Sequence, residues 1–478
     1  MFKTIILFSL LFTFQASAEK PNILFILVDD LGRQDLQCYG SQFYETPNMD
    51  SIASAGVKFE NAYSAHPRCV PSRFAIFSGK YPARYGVPGF PDKEYEQTLP
   101  LKLNTFSEHL EKAGYETGYI GKWHLGGDGG EPNYQGFKTS IMAGHAGAPP
   151  SYFFPFHIAK KGKSKEEFPP VKGEKGEYLT DRLTDEAINF IRTNKDKPFH
   201  LTLAHYAVHT PIEAPEELVK KYKDKLKKMN IEAGGKSKDS DLKTDTTGLY
   251  KTMQNNPEYA AMIESVDRGI GRILEELKAL GLEKNTVVIL TSDHGGLSSR
   301  GLQSNRSLAT SNLPYRHGKG WLYEGGIRVP MLVKWPAAVK AGQTSSQLTT
   351  GTDHYPTILH LAGLDPVRGD HTDGVSYMPA LEGRKYERGP VFWHSPVARP
   401  KQTGDTNMTA MITGKYKLIE CHDNNSIELY DLSQDKGEKN NIYNSNPEVS
   451  KALLKTLTEW KKSVNAQLKP KGFVRKKK

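Results

Sequence analysis

Two adjacent aspartates, Asp29-Asp30, follow the apolar run Ile23 to Val28. Neighbouring carboxylates repel, and at the end of a buried strand both stay charged only beside a compensating cation. A helix amino-terminal cap accounts for one of them and not for the pair. Three other runs end in a similar way. Tyr119-Ile120 leads into Lys122 and His124, Phe199 to Ala204 into His205 and His209, and Val287 to Leu290 into Asp293-His294. Asp293 supplies a third carboxylate, and an oxygen-rich set of this kind suits a hard divalent ion such as calcium. Open α/β sheets bind ligands beyond the carboxyl ends of their strands, so these runs deliver their charges to one edge.

The segment His66-Pro67-Arg68-Cys69-Val70-Pro71-Ser72-Arg73 is more specific still. Read alone, Cys69 is a small buried hydrophobe beside a turn proline. Read as a pattern, Cys69-Val70-Pro71-Ser72-Arg73 resembles the Cys-x-Pro-Ser-Arg signature of type I sulfatases, in the alkaline phosphatase-like superfamily. In that family a maturation enzyme oxidises the cysteine to formylglycine. The likeness runs through Pro21-Asn22 to Asp29-Asp30, Gly79-Lys80-Tyr81-Pro82, Gly121-Lys122-Trp123-His124, Thr291 to Gly295, Gly318-Lys319 and Glu324-Gly325-Gly326.

The resemblance implies a divalent ion, calcium with magnesium as the alternative, held by Asp29, Asp30, Asp293, His294 and position 69. Hydrated formylglycine would attack sulfur, with Lys122 and Lys319 on the sulfate oxygens. His209 matches the family's proton donor to the leaving oxygen, His124 would take a proton from the second diol hydroxyl, and Arg73 would hold the diol. His294 stands where many members have asparagine, and imidazole is a softer ligand than a carbonyl oxygen. The alternative for His294 is a substrate contact. His66, His205 and His317 have location alone in their favour. His145 and His157 lie in the aromatic loop Ala143 to His157, a candidate sugar subsite.

The substrate class implied is a sulfated polysaccharide or its oligosaccharides, with galactose or N-acetylgalactosamine sulfates first. Aromatic residues Tyr152, Phe153, Phe154 and Trp393 near candidate loops point the same way. Phosphoryl hydrolases of the superfamily use Ser or Thr nucleophiles and often two metals, whereas this chain offers Cys and ligands for one. A silent glycan-binding relative would be favoured by loss of Cys69, Arg73, Lys122, His124 or Lys319, and all are present.

Elements must bring these residues together. Short apolar runs alternate with helical patterns at Pro47 to Ala55, Phe106 to Ala113, Thr180 to Arg192 and Tyr259 to Leu280. This predicts an α/β domain over 19–374, a mostly parallel sheet between helices. Residues 216 to 250, crowded with lysine, predict a solvated helix and loop insertion. Shorter runs at Val391 to His394, Tyr416 to Glu420 and Ile427 to Leu432, then a helix from Glu448 to Val464, predict a smaller antiparallel α+β domain over 375–466.

Residues 1–18 have a basic start, an apolar run to Phe14 and Ala16-Ser17-Ala18, the layout of a secretory signal with cleavage before Glu19. The run is too short to span a bilayer, so an exported, periplasmic or extracellular protein is expected. The formal charge of +10 is concentrated in a basic tail, 467–478, which argues against a nucleic-acid partner. Three cysteines exclude a disulfide framework and leave Cys38 and Cys421 as either a pair or two free thiols.

Overall fold

The computed structural model describes residues 20–86, 98–127, 129–158, 168, 171–234, 241–245 and 248–468. The proposed leader and residues 469–478 of the tail lie outside the described residues. Eight strands form the main sheet, in the order Gln343–Ser345, Val57–Phe59, Met331–Lys334, Thr286–Ser292, Asn22–Val28, Phe199–His205, Glu116–Gly121, Thr139–Ile141. Met331–Lys334 runs antiparallel to both of its neighbours, and the other pairs are parallel.

The central strand Asn22–Val28 is buried on both faces, as its continuous apolar run requires. Its alternation assigns Leu24, Ile26 and Val28 to one core and Ile23, Phe25 and Leu27 to the other. Helices Leu179–Thr193, Glu216–Met229 and Pro257–Ala279 cover the first core. Cys69–Ser78, Phe106–Lys112 and His354–Leu361 cover the second. Tyr377 and Leu381 also pack into this second core, ahead of the next sheet.

That next sheet is antiparallel and four-stranded, Val391–Ser395, Met408–Thr413, Tyr416–Cys421 and Ser426–Asp431 in chain order. Trp393, Met408 and Ile419 on one face pack against Trp321, Tyr323 and Ile327 of the first domain. Phe392, Leu418 and Leu429 on the other receive Leu457 and Trp460 of the helix Pro447–Ser463.

The expectation for residues 216 to 250 needs correction. The lysine-rich helix Glu216–Met229 is not simply solvated, because Leu218, Val219, Tyr222 and Leu226 seat it on the first core. Lys221 and Lys225 both pair with Glu45, at 2.6 and 2.8 Å. The segment after it forms short strands Leu242–Thr244 and Leu249–Lys251, joined by Ser299–Arg300. The cysteines are free thiols, with Cys38 against the first core and Cys421 at the junction of the two domains. Among the described residues no helix is long and apolar enough to cross a membrane.

Candidate active site

Four adjacent strands of the main sheet, Thr286–Ser292, Asn22–Val28, Phe199–His205 and Glu116–Gly121, end at one edge. The loops that follow therefore converge without further design. Asp293 and His294 leave the first, Asp29 and Asp30 the second, His209 the third, and Lys122 and His124 the fourth. Asp30 (φ 62°) and His124 (φ 61°) occupy the left-handed region, a conformation that non-glycine residues hold only where surrounding contacts enforce it.

Cys69 opens the helix Cys69–Ser78, whose unpaired amino-terminal N–H groups favour negative charge nearby. Its Sγ lies 3.3 Å from His294 Nε2, 3.7 Å from Asp29 Oδ1 and 3.8 Å from Lys319 Nζ. Arg73, one turn along, donates from Nε to Asp293 Oδ2 at 3.0 Å and from Nη1 to the Lys122 carbonyl at 2.6 Å. Lys122 donates to Asp29 Oδ2 at 2.5 Å, and Lys319 to both Asp30 oxygens at 2.6 and 2.8 Å.

Glycines permit the last approach. A Cβ at Gly295 would sit 1.9 Å from the Gly325 carbonyl oxygen, and one at Gly318 2.3 Å from that of Gly296. The backbone of Lys319 donates to Gly296 O, and that of Gly320 to Pro67 O. These contacts bind the 293–296, 318–326 and 66–69 segments into one floor.

The electrostatics are those of crowded buried charge. Burial, reinforced by Asp293, pushes Asp29 well above the usual carboxylate range even with Lys122 beside it. Burial acts the same way on Asp30, but Lys319 with His209 and His294 outweighs it and holds this carboxyl well below that range. For Asp293, burial is outweighed by His294 and Arg73, again lowering it. Burial would raise the Cys69 thiol, yet Lys122, Lys319 and His294 hold it well below the ordinary thiol value. Burial lowers His124 to about 4 and His209, beside Lys319, to about 3.

The donor set fits a divalent cation. One donor atom each from Asp29, Cys69, Asp293 and His294 lie within 4.8 Å of one another, as do those of Asp29, Asp30, Cys69 and His209. His294 Nδ1 donates to the Gly295 carbonyl at 3.0 Å, which turns Nε2 toward Asp30 Oδ1, 3.2 Å away, and Asp293 Oδ1, 3.7 Å away. Against burial, Asp293, Cys69 and Asp30 raise this imidazole above its ordinary value, and the proton they favour on Nε2 is what a divalent cation would replace. Arg73 Nη2 is buried without a hydrogen-bond partner, 3.8 Å from Asp29 Oδ1.

Above this floor opens a cavity of about 480 Å³ bordered by Cys69, His124, His209 and Lys319. Arg68, Arg306, Arg399 and Gln402 border it too, and sequence reasoning missed all four as site residues. They sit in polar loops with no strand-end pattern, where an arginine reads as a solvated side chain. His145 lines the cavity, its ring 6.0 Å from that of His124.

The remaining candidates fall elsewhere. His66 and His205 are buried with both ring nitrogens unbonded, and His157 is not among the residues lining the cavity. His317 stacks on Trp321 at 4.2 Å and approaches Asp245 at 2.9 Å, away from the cavity. The expected aromatic platform is not assembled from Tyr152 and Trp393. Tyr152 is buried and donates to the Tyr206 carbonyl, and buried Trp393 donates to that of Ser64.

Known proteins are similar to this chain in sequence and fold. Residues 21–364 match the sulfatase family and residues 316–463 match the family described as N-sulphoglucosamine sulphohydrolase, C-terminal. The chain is 33% identical over 423 residues to the N-acetylgalactosamine-6-sulfatase of Rattus norvegicus, covering 84% of this chain and 71% of that one. It is 28% identical to the N-acetylgalactosamine-6-O-sulfatase of Bacteroides thetaiotaomicron, with 92% and 93% covered. The crystal structure of Ps i-CgsB in complex with k-i-k-neocarrahexaose superposes with a TM-score of 0.76 at 29% identity, covering 94% of each chain. With the family match running from the first strand through the whole floor of the cavity, the chain belongs to the sulfatase family and is a sulfuric ester hydrolase.

Proposed function

We propose that this protein is an exported carbohydrate sulfatase that releases inorganic sulfate from sulfated galactose or N-acetylhexosamine units, using formylglycine made from Cys69 by a maturation enzyme. The observation that carries this reading is the set of donors from Asp29, Cys69, Asp293 and His294 gathered within 4.8 Å, beneath a cavity ringed by cations. The curated relatives named N-acetylgalactosamine-6-sulfatase support the sugar class.

Asp29, Asp30, Asp293 and His294 would hold one divalent ion, calcium or magnesium. Together the ion and the hydrated aldehyde of position 69 would supply an acidified hydroxyl nucleophile at neutral pH. The protein's own side chains do the rest. Lys122 Nζ and Lys319 Nζ offer fixed positive charge to the sulfate oxygens where charge develops. His209 Nδ1 is tied to the Thr210 carbonyl at 2.7 Å, so its Nε2 is the atom that faces Asp30 and the reacting groups. Only as the imidazolium, with Nδ1–H kept on the Thr210 carbonyl, would His209 pass the Nε2 proton to the leaving sugar oxygen, so that proton must be taken up against the burial that lowers the ring to about 3. His124 is kept neutral by burial, as a base that takes a proton at position 69 must be. Arg73 is anchored at Asp293 and the Lys122 carbonyl, with Nη2 left over for position 69.

The test is a panel of defined sulfated oligosaccharides incubated with matured protein, scored for released sulfate, with Cys69→Ala as blank. Peptide mapping of the active enzyme should find an aldehyde at position 69, and a chelator should abolish turnover. Phosphate-ester cleavage without sulfate release, or an unmodified thiol in fully active enzyme, would sink the proposal. Amino-terminal sequencing of exported protein should begin at Glu19.

A further inference from the structure

We infer that the cavity carries a second anion subsite, built from Arg306 and Arg399, for a carboxylate or a second sulfate elsewhere on the bound saccharide. The inference deepens the carbohydrate sulfatase reading and rests on it. Among the residues lining the cavity there is no aspartate or glutamate, so the carboxylates that offset its cations, Asp30 and Asp405, stand behind its wall.

The cations there are not equivalent. Lys319 is held by both oxygens of Asp30. Arg68 pairs with Asp405 and donates to the Val397 carbonyl, so it is neutralised in place. The Arg306 guanidinium, in contrast, has no acidic partner among the described residues, although it borders the same cavity. A single sulfate ester carries one negative charge, and Lys122 and Lys319 already answer it. Arg306 is surplus to that need, and Arg399 borders the same cavity.

The two arginines come from different domains, and their loops are locked together. A Cβ on Gly301 would stand 2.0 Å from the Pro400 carbonyl oxygen, so only glycine lets the loops approach this closely. Ser299 Oγ donates to the Thr403 carbonyl. The backbone N–H of Arg399 is aimed at both oxygens of Asp405, at 3.3 Å each, the same carboxylate that fixes Arg68. Guanidinium forks placed on a held frame match the planar oxygens of a carboxylate or sulfate and give up little order on binding.

The experiment uses the full-length matured enzyme and three oligosaccharides sharing one sulfated terminal sugar. Its neighbour is neutral in the first, carries a carboxylate in the second and a second sulfate in the third. kcat/KM for sulfate release should favour at least one anionic substrate over the neutral one by about ten-fold or more, the yield of a charge-assisted hydrogen-bonded pair. The arm that wins identifies the source of the anion. The preference should shrink as salt is raised and collapse toward unity in Arg306→Gln and Arg399→Gln, with Arg306→Lys keeping part of it. Equal or better turnover of the neutral substrate by the parent enzyme overturns the subsite while leaving the sulfatase reading intact, as does an unchanged preference in both glutamine variants. Thermal melting of each variant excludes misfolding, and the salt dependence of the parent enzyme decides the matter if a variant fails to fold. No sulfate from any of the three overturns the carbohydrate reading and this inference together.

Discussion

The molecule buries two networks of charge, and they are built to opposite ends. At the junction of the two domains, Lys417 reaches from the small sheet to Glu324 at 2.9 Å and Glu438 at 2.7 Å, while Arg328 Nε donates to Glu324 at 2.6 Å. Burial is outweighed there by Lys417 and Arg328, which hold Glu324 at about 2. Glu438 rises to about 7 through burial and the nearness of Glu324, against Lys417. Cations and carboxylates alternate, and no nucleophile intervenes. At the sheet edge, Asp29, Asp30 and Asp293 meet Lys122, Lys319 and Arg73 in comparable number. Yet the carboxylates crowd one point, Asp29 is forced far from its ordinary value, and Arg73 Nη2 stays unbonded. Among the described residues both groupings of donors close enough to hold a metal ion are at this edge. Alternating charge locks an interface, whereas converging charge of one sign leaves work for a ligand.

Neutralising one member of each network should separate the two roles. Asp29→Asn removes a carboxylate that the fold already drives toward its neutral form, so the thermal midpoint should hold or rise while sulfate release falls by about 10³-fold or more. A fall in the midpoint with activity retained would contradict the division. Lys417→Met does the reverse. It leaves Glu438 without a cation beside Glu324, which keeps only Arg328, and calorimetry or denaturant melts should show a loss of about 3–5 kcal/mol, with turnover per folded molecule close to the parent's.

The same contrast explains what was legible beforehand. The strand-end residues Asp29, Asp30, Lys122, His209, Asp293 and His294 could be named because apolar runs of strand length announce their own ends, and neighbouring strands deliver those ends to one edge. Cys69, Arg73 and Lys319 were legible only as motifs, since no periodicity distinguishes a helix amino terminus or a glycine-flanked loop as reactive. The domain-junction network was invisible as a network, because Glu324, Lys417 and Glu438 are far apart in sequence, and while Glu324 stands in a motif, Lys417 and Glu438 each read as a surface charge. Arg306 and Arg399 were missed for the same reason. Trp393 and Tyr152 misled because an aromatic near a loop signals equally a sugar platform or a core anchor, and burial alone decides.

A subtler break concerns how the edge is held in shape. His124 lies over Gly147, where a Cβ would come 2.5 Å from the imidazole Cε1 and 2.7 Å from Nε2. Gly147→Ala should displace that ring and slow turnover by about 10- to 100-fold, mostly in kcat, as loss of a positioned proton acceptor does. Melting should shift by less than about 1 kcal/mol, because the new methyl borders a cavity rather than a packed core. Equal losses in kcat and stability would show that Gly147 serves the fold and not His124.

The smallest effect tests buried groups away from the site. His200 and His354 are buried and neutral, each lowered to about 3 by burial. His200 Nε2 meets Thr202 Oγ1 at 3.0 Å and His354 Nδ1 meets Tyr377 Oη at 3.1 Å, and neither partner carries charge. The unfolded chain protonates its histidines below the ordinary value of 6.5, while the folded one resists until about 3. Below pH 6.5 the unfolded state therefore binds more protons, and stability present above that pH is lost progressively as the pH falls. Each histidine contributes a slope of up to about 1.4 kcal/mol per pH unit in that window. Replacing both by glutamine should flatten the stability profile between about pH 6 and pH 4 without removing its acid limb, which the carboxylates also shape. An unaltered slope would mean that these two rings are protonated equally in both states, which their apolar surroundings, including the edge of Phe106 against His200 and of Phe25 against His354, argue against.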